Sequence, residues 1–417
     1  MSRPVEAVSY RALLRLPGAM PAFAAAALVR LSYAMVGLSF LLVVQDATGS
    51  FGAAGAALGA FALPTLLAPY KSRLVDRFGV RLPLRGLGAG YATMLAAVVG
   101  CAAAGVQARS PYLLLALAAG VLTPPVGPVM RGIWAGLTPS GAARNRAYSL
   151  DGVAEEGLFA TGPLLVGAVL LVLEPFAALL LTAIVALIGS VALSCSCLVG
   201  RSPFPTGFTP PPASGLVGPL RLPGVRWLML AMFGVGVALA PLEVAVVARA
   251  TEAGSAAAAG YLLAALSLGS AGGGLLWGRL NLTGRRSSLL LVLMVLLGVG
   301  TVAAGLTPSL AALAGVLVLT GAVVAPAFVL AYMLADQLVD ETVRTETSTW
   351  IGTASNIGGA VGVTGAGFLV DHLSARAPFV AGGICLLTLV PLLLVVRSRS
   401  EWGDESAPPE VTSVPQP

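Results

Sequence analysis

The stretch Ala147-Tyr-Ser-Leu-Asp-Gly-Val-Ala-Glu-Glu-Gly-Leu-Phe-Ala-Thr-Gly-Pro-Leu-Leu-Val-Gly167 decides how this chain is read. It is apolar over most of its length and long enough to cross a bilayer. It nevertheless holds Glu155 and Glu156 in its interior and Asp151 one turn earlier. Its surroundings settle the reading. Only 10% of the chain is charged and 57% is hydrophobic, with a mean hydropathy of +0.92. Soluble domains average about 25% charged residues. A chain of 417 residues this apolar cannot hide its surface in one water-soluble core, so lipid is its solvent. A carboxylate at bilayer depth then costs at least about 2.5–3.5 kcal/mol, and such groups mark a pathway, a proton relay or a buried partner.

A hydrocarbon core about 30 Å thick needs roughly 20 apolar residues as helix. Working outward from the quoted stretch, twelve such runs can be placed: 18–44, 51–70, 86–107, 111–136, 147–173, 175–199, 224–248, 256–277, 287–306, 309–335, 346–370 and 376–397. The first exceeds a signal-peptide core of roughly 7–15 residues and reads as a membrane helix that is kept. Residues 200–223 are rich in Pro and Gly and read as a linker. The expected organisation is a tail (1–17), a six-helix bundle (18–199), the linker, a second six-helix bundle (224–397) and a polar, disordered tail (398–417). The fold class is all-α integral membrane.

Twelve spans place both ends on one side. That side collects nineteen Lys and Arg residues, and the other holds Arg109, Arg249 and Arg376 alone. By the positive-inside rule both termini are cytoplasmic, and the linker with them. Trp134, Trp227, Trp277 and Trp350 all fall at that side's helix ends, where an interfacial aromatic belt is expected. The multi-pass chain is expected in an inner or plasma membrane.

The halves repeat one another. Ala53-Ala-Gly55 corresponds to Ala258-Ala-Gly260, and Val121-Leu-Thr123 to Val318-Leu-Thr320. Pro128 matches Pro326, Arg144 matches Arg344, and Gly162 matches Gly362. Order and offset are nearly constant, so the two bundles are expected to be pseudo-symmetric. Parallel halves of this kind suit a protein with a central site that rocks between two openings.

Between spans 2 and 3 stands Ser72-Arg-Leu-Val-Asp76-Arg77-Phe-Gly79-Val-Arg81. Apart from Ser72 in place of its first Gly, this resembles the Gly-x-x-x-Asp-Arg-x-Gly-x-Arg/Lys signature of the major facilitator superfamily. Asp76 can accept hydrogen bonds from a neighbouring helix end, Gly79 allows a tight turn, and Arg77 and Arg81 hold the loop inside. The counterpart after span 8, Gly274 to Arg286, lacks the Asp. Span 5 carries Gly157, Gly162, Pro163 and Gly167, which resembles the Gly-Pro motif of the family's drug/proton antiporters, with one terminal Gly where two are usual. Small residues there allow close helix contact, and Pro163 removes a backbone donor. Span 4 lacks the Arg in its first half that drug exporters carry; its only Arg is Arg131. The resemblance extends over nearly the whole chain and takes in sugar-efflux permeases. It implies alternating access with no cofactor, a proton gradient as energy source, and one chain as the functional unit.

The charges inside the membrane name the candidate site. Arg30, mid-span 1, can pair with Glu155 or Glu156. Adjacent helix positions differ by about 100°, so the two glutamates cannot share one direction. Asp151 lies one turn from Glu155 on the same face, and Arg131 can pair with it as a cytoplasmic gate. Glu243 lies in the outer third of span 7 and can bind a proton or cation, or reach the external interface. Tyr33 can line a cavity where faces of spans 1, 4, 5, 7, 10 and 11 converge.

Other classes lack their residues. There is no Gly-x-x-x-x-Gly-Lys-Ser/Thr loop for ATP, and Lys71 is the sole lysine. The lone His372 is expected in a short external loop with Asp371. Cys195 and Cys197 lack zinc-site spacing, and no metal site is expected. The arginines fall in short loops and do not read as a nucleic-acid surface. The leading expectation is proton-coupled efflux of a small organic molecule, not an enzyme. The alternatives are proton-coupled uptake or exchange of a sugar or metabolite, a membrane-embedded enzyme, and a non-transporting sensor.

Overall fold

A backbone in hydrocarbon must satisfy its own hydrogen bonds, and this chain does so as helix. The computed structural model describes residues 10–67, 71, 78–139, 142–200, 219–278, 285–339 and 344–399, with no strand among them. Span 1 is Ala19–Thr48. Span 2 is Phe51–Ala62, continued by a 3-10 turn, Leu63–Leu67. Spans 3, 5 and 6 are Arg81–Ala103, Ala142–Val169 and Pro175–Cys195. Spans 8, 9, 11 and 12 are Ala258–Trp277, Arg286–Leu306, Arg344–His372 and Ala377–Arg399. Three spans are each broken in two: span 4 as Arg109–Leu122 and Val126–Leu137, span 7 as Pro223–Leu239 and Pro241–Glu252, and span 10 as Leu310–Gly321 and Val324–Leu338. Among the described residues, nine spans are long and apolar enough by themselves to cross a membrane. The described part of span 2 is shorter, and spans 5 and 11 hold polar and charged residues along their length.

Local sequence fixes the ends. Ser50 caps span 2, its hydroxyl accepting from Ala53 N at 3.0 Å, and Ser309 caps span 10 in the same way on Ala312 N at 3.2 Å. Gly49 closes span 1 with φ 67°, a left-handed position natural to glycine, and its N–H donates to Gln45 O. Outside the bundle, Leu180, Ile184, Leu187, Ile188 and Val191 of span 6 form an exposed apolar stripe. Only lipid covers such a stripe at low cost. The protein is a multi-pass membrane protein.

The repeat seen in sequence has a structural counterpart. Thr123 ends the first piece of span 4, and Thr320 stands at the end of the first piece of span 10. Each hydroxyl donates to the carbonyl four residues back, Ala119 O at 3.1 Å and Val316 O at 2.8 Å. Gly55 of span 2 packs on Gly367 of span 11; a Cβ at 55 would lie 3.2 Å from Gly367 Cα. Gly260 of span 8 packs on Gly167 of span 5 in the equivalent way, at 2.8 Å from Gly167 Cα. Two related glycine crossings therefore join the halves.

One sequence expectation is corrected here. Trp134 and Trp227 do not form an interfacial belt. They are 0% and 2% exposed, and the Trp227 indole donates to Leu393 O at 2.9 Å. Position near a helix end sets depth in the membrane, but packing sets which way the ring points. Residues 201–218 of the expected 200–223 linker, and the tail from residue 400, lie outside the described residues.

Candidate functional site

The close approaches between the halves run from mid-bundle to the face opposite the termini. At that far face, Asp371 in the last turn of span 11 reaches the start of span 2. Its carboxylate accepts from Ser50 Oγ at 2.6 Å, Phe51 N at 2.8 Å and Gly52 N at 2.9 Å. A carboxylate at a helix N-terminus satisfies unpaired N–H groups and complements the helix dipole. His372 stacks on Phe368, with ring centroids 4.0 Å apart. Both residues belong to the helix rather than to the expected loop.

Below these contacts lies a central cavity of about 660 Å³, lined by spans 1, 2, 5, 7, 8, 10 and 11. Spans 2 and 8 take part in the wall, and span 4 contributes no lining residue, contrary to the sequence expectation. Glu156 lines it from the first half and Glu243 from the second. Among the described residues neither carboxylate makes a hydrogen bond or ion pair. Glu243 follows the break in span 7 at Pro241 and lies directly against Gly37 of span 1, where any side chain would collide with the carboxylate. Tyr33, Phe61, Phe159 and Phe328 supply aromatic wall, and Ser267, Ser355 and Asn356 supply uncharged polar groups.

The one-turn cluster on span 5 separates by direction. Asp151 and Glu155 point at span 1, where Arg30 is buried. Arg30 Nη1 and Nη2 donate to Asp151 Oδ1 and Oδ2, both at 2.6 Å, and Nε lies 3.7 Å from Glu155 Oε2. Asp151 is thus taken by Arg30 and not by Arg131, which lies exposed on the second piece of span 4. Glu156, turned by about 100°, faces the cavity. The bidentate geometry suits a buried pair, since each partner offsets the other's desolvation.

The span-5 glycines divide their tasks too. Gly162 meets Ala34 of span 1, while Gly167 and the Pro163 carbonyl meet Gly260 of the other half. Gly157 faces open space. In the loop after span 2, Asp76 and Arg77 lie outside the described residues. Gly79 takes φ 73°, and Arg81 is the exposed first residue of span 3.

The break in span 4 was not foreseen as part of the site. Thr123-Pro124-Pro125 interrupts the helix, and the freed carbonyls find donors elsewhere. The Tyr33 hydroxyl donates to Pro124 O at 2.6 Å, and Lys71 Nζ donates to Gly120 O at 2.9 Å and Thr123 O at 3.1 Å. Burial pushes the Lys71 amine down to about 8. The Pro-Pro pair was the available signal for this break; Asp371 followed by a helix end was the signal for the far-face contact.

The family model described as Major Facilitator Superfamily matches residues 228–416. No curated protein matches significantly. Among solved structures, the nucleoside transporter NupG aligns with a TM-score of 0.73 at 12% identity, over 91% of this chain and 99% of its own. A bacterial homologue of the human lysosomal transporter Spinster, in an inward-facing and occupied conformation, aligns with a TM-score of 0.69 at 14% identity, over 91% and 96%. The E. coli fucose:proton symporter FucP, as a variant, aligns at 0.56 and 15% identity, over 91% and 98%. At these identities the likeness is one of fold.

Proposed function

We propose that this chain is a proton-coupled exporter of small organic molecules working by alternating access; the Major Facilitator Superfamily model over residues 228–416 and the fold it shares with known transporters support that reading. The observation that carries this reading is the pair Glu156 and Glu243. They line one cavity from opposite halves, and neither has a partner among the described residues. Glu156 is open to the cavity and Glu243 is half-buried; a carboxylate at bilayer depth without a partner is costly, so such groups invite a proton or a ligand.

The excess of arginines on the terminal side supports a cytoplasmic placement of that side. On that reading the conformation is inward-facing, with the far seam shut by the two glycine crossings and by Asp371. Substrate enters from the cytoplasm and occupies the carboxylates. Rocking the halves exposes it outside, where protons displace it, and the protonated carrier returns. Proton and substrate compete for the same oxygens, which is the coupling. The Arg30–Asp151 pair keeps span 5 registered on span 1 through the cycle and takes no part in exchange. One chain holds the whole site and is the functional unit, in an inner or plasma membrane.

The test is release from proteoliposomes loaded with a mixed library of drugs, sugars and amino acids, with and without an imposed pH gradient, read by mass spectrometry. Movement of specific compounds against their gradient when protons flow the other way supports the exporter. Movement only with the proton flow gives uptake by the same cycle run in reverse. Movement indifferent to the gradient contradicts proton coupling.

A further inference from the structure

We propose that the central cavity takes an amphipathic organic cation. The proposal rests on reading the chain as a carrier whose substrate enters that cavity. Among the described residues lining it, Glu156 and Glu243 are charged, and no Lys, Arg or His stands with them. The nearby cations are committed elsewhere. Arg30 grips Asp151 and approaches Glu155, and Lys71 is turned to the carbonyls of Gly120 and Thr123. An anionic substrate would face two carboxylates with no counter-charge, a costly juxtaposition once water leaves.

A polyol fits poorly for another reason. The uncharged polar groups of the wall are few, and the Tyr33 hydroxyl already donates to Pro124 O. A sugar would leave most of its hydroxyls, and both carboxylates, without partners. A cation compensates the carboxylates directly. The rings of Phe61, Phe159 and Phe328 can hold a cation over their faces, and the apolar remainder of the wall takes its hydrocarbon. A cavity of about 660 Å³ lies within the range of about 300–1,000 Å³ usual for drug-sized ligands. Because Glu156 and Glu243 belong to different halves, a cation held between them also ties substrate occupancy to the approach of those halves.

The experiment is equilibrium binding of radiolabelled tetraphenylphosphonium to the purified full-length protein in detergent. Tetraphenylborate serves as an anion of the same shape, and triphenylphosphine oxide as a neutral relative. Saturable tetraphenylphosphonium binding is expected. Triphenylphosphine oxide should compete at least about tenfold more weakly, and tetraphenylborate not at all. Glu156→Gln and Glu243→Gln should each weaken tetraphenylphosphonium binding about tenfold or more, while Glu252→Gln at the exposed Arg249 contact leaves it unchanged. Equal competition by the neutral or anionic compound would overturn the proposal. So would wild-type affinity in both cavity variants recovered as monodisperse protein, or no saturable binding of either tetraphenylphosphonium or the smaller benzyltrimethylammonium. Selective cation binding without any movement in proteoliposomes would sink the carrier reading and keep the cation site. Gradient-driven movement of a neutral compound, with no cation binding, would do the reverse.

Discussion

At the scale of the residue, one helical turn of span 5 decides the chemistry. Asp151 and Glu155 share a face and meet Arg30, whereas Glu156 is rotated into the cavity. The sequence shows that the three acids cannot act alike, because the 100° step is intrinsic to the helix. It does not show which arginine arrives, since that depends on the rotation and tilt of span 1 against span 5. The pairing of Asp151 with Arg131 fails on this account. Breaking a buried pair from one side leaves a bare charge, at a cost of about 3–5 kcal/mol. Arg30→Gln and Asp151→Asn should therefore each lower the midpoint of thermal unfolding in detergent markedly, and the double variant should recover part of the loss. An unchanged midpoint in either single variant would show that the pair is not structural. Lys71, the sole lysine, offers a second check. Burial disfavours its charged form, so the amine should lose its proton as pH rises through about 8 rather than 10.5. Reductive ¹³C-methylation puts a reporter on this one side-chain amine, and an NMR titration with a midpoint above 10 would contradict the buried placement.

At the scale of the element, the spans exist because the sequence is apolar, but their breaks and crossings do the positioning. Glycine marks the crossings: Gly55 on Gly367, and Gly260 on Gly167. Gly55 and Gly260 belong to stretches already matched by the repeat, so the sequence carried this symmetry without saying what either residue touches. Valine at Gly55 or Gly260 has no room, because each glycine meets backbone of the other half. Gly260→Val should keep the far seam from closing. Spin-label distances across that face should then lengthen relative to wild type, and an unchanged distribution would refute the seam. Asp371 makes the same prediction from the polar side. Hydrogen bonds involving a charged group contribute about 1.5–3 kcal/mol each. Asp371→Asn should shift the population toward the open far face, read as faster labelling of a cysteine placed at Thr48; a rate equal to that of wild-type Asp371 would argue against the latch. The tryptophans show the limit of reading elements from sequence. Depth along a helix is legible from residue number, but the direction a side chain takes around it is not, and Trp134 and Trp227 turn inward.

At the scale of the whole molecule, the all-helical membrane fold and its lipid setting were readable from hydropathy and composition. The cavity was not. Its wall is assembled from seven spans, with 2 and 8 among them and no described residue of span 4, and one sequence does not carry how helices converge. Glu243 could be placed in the outer part of span 7, but only the break at Pro241 and the contact with Gly37 set it in the cavity. The central claim is that Glu156 and Glu243, which line one cavity from opposite halves with no partner among the described residues, couple protons to substrate. The most direct measurement compares two fluxes of the same compound in proteoliposomes: accumulation driven by a pH gradient, and exchange at equal pH on both sides. In the double variant Glu156→Gln, Glu243→Gln, gradient-driven accumulation should be lost, falling by at least about tenfold. Gradient-driven accumulation at the wild-type rate, in protein shown to be folded and inserted, would contradict the account.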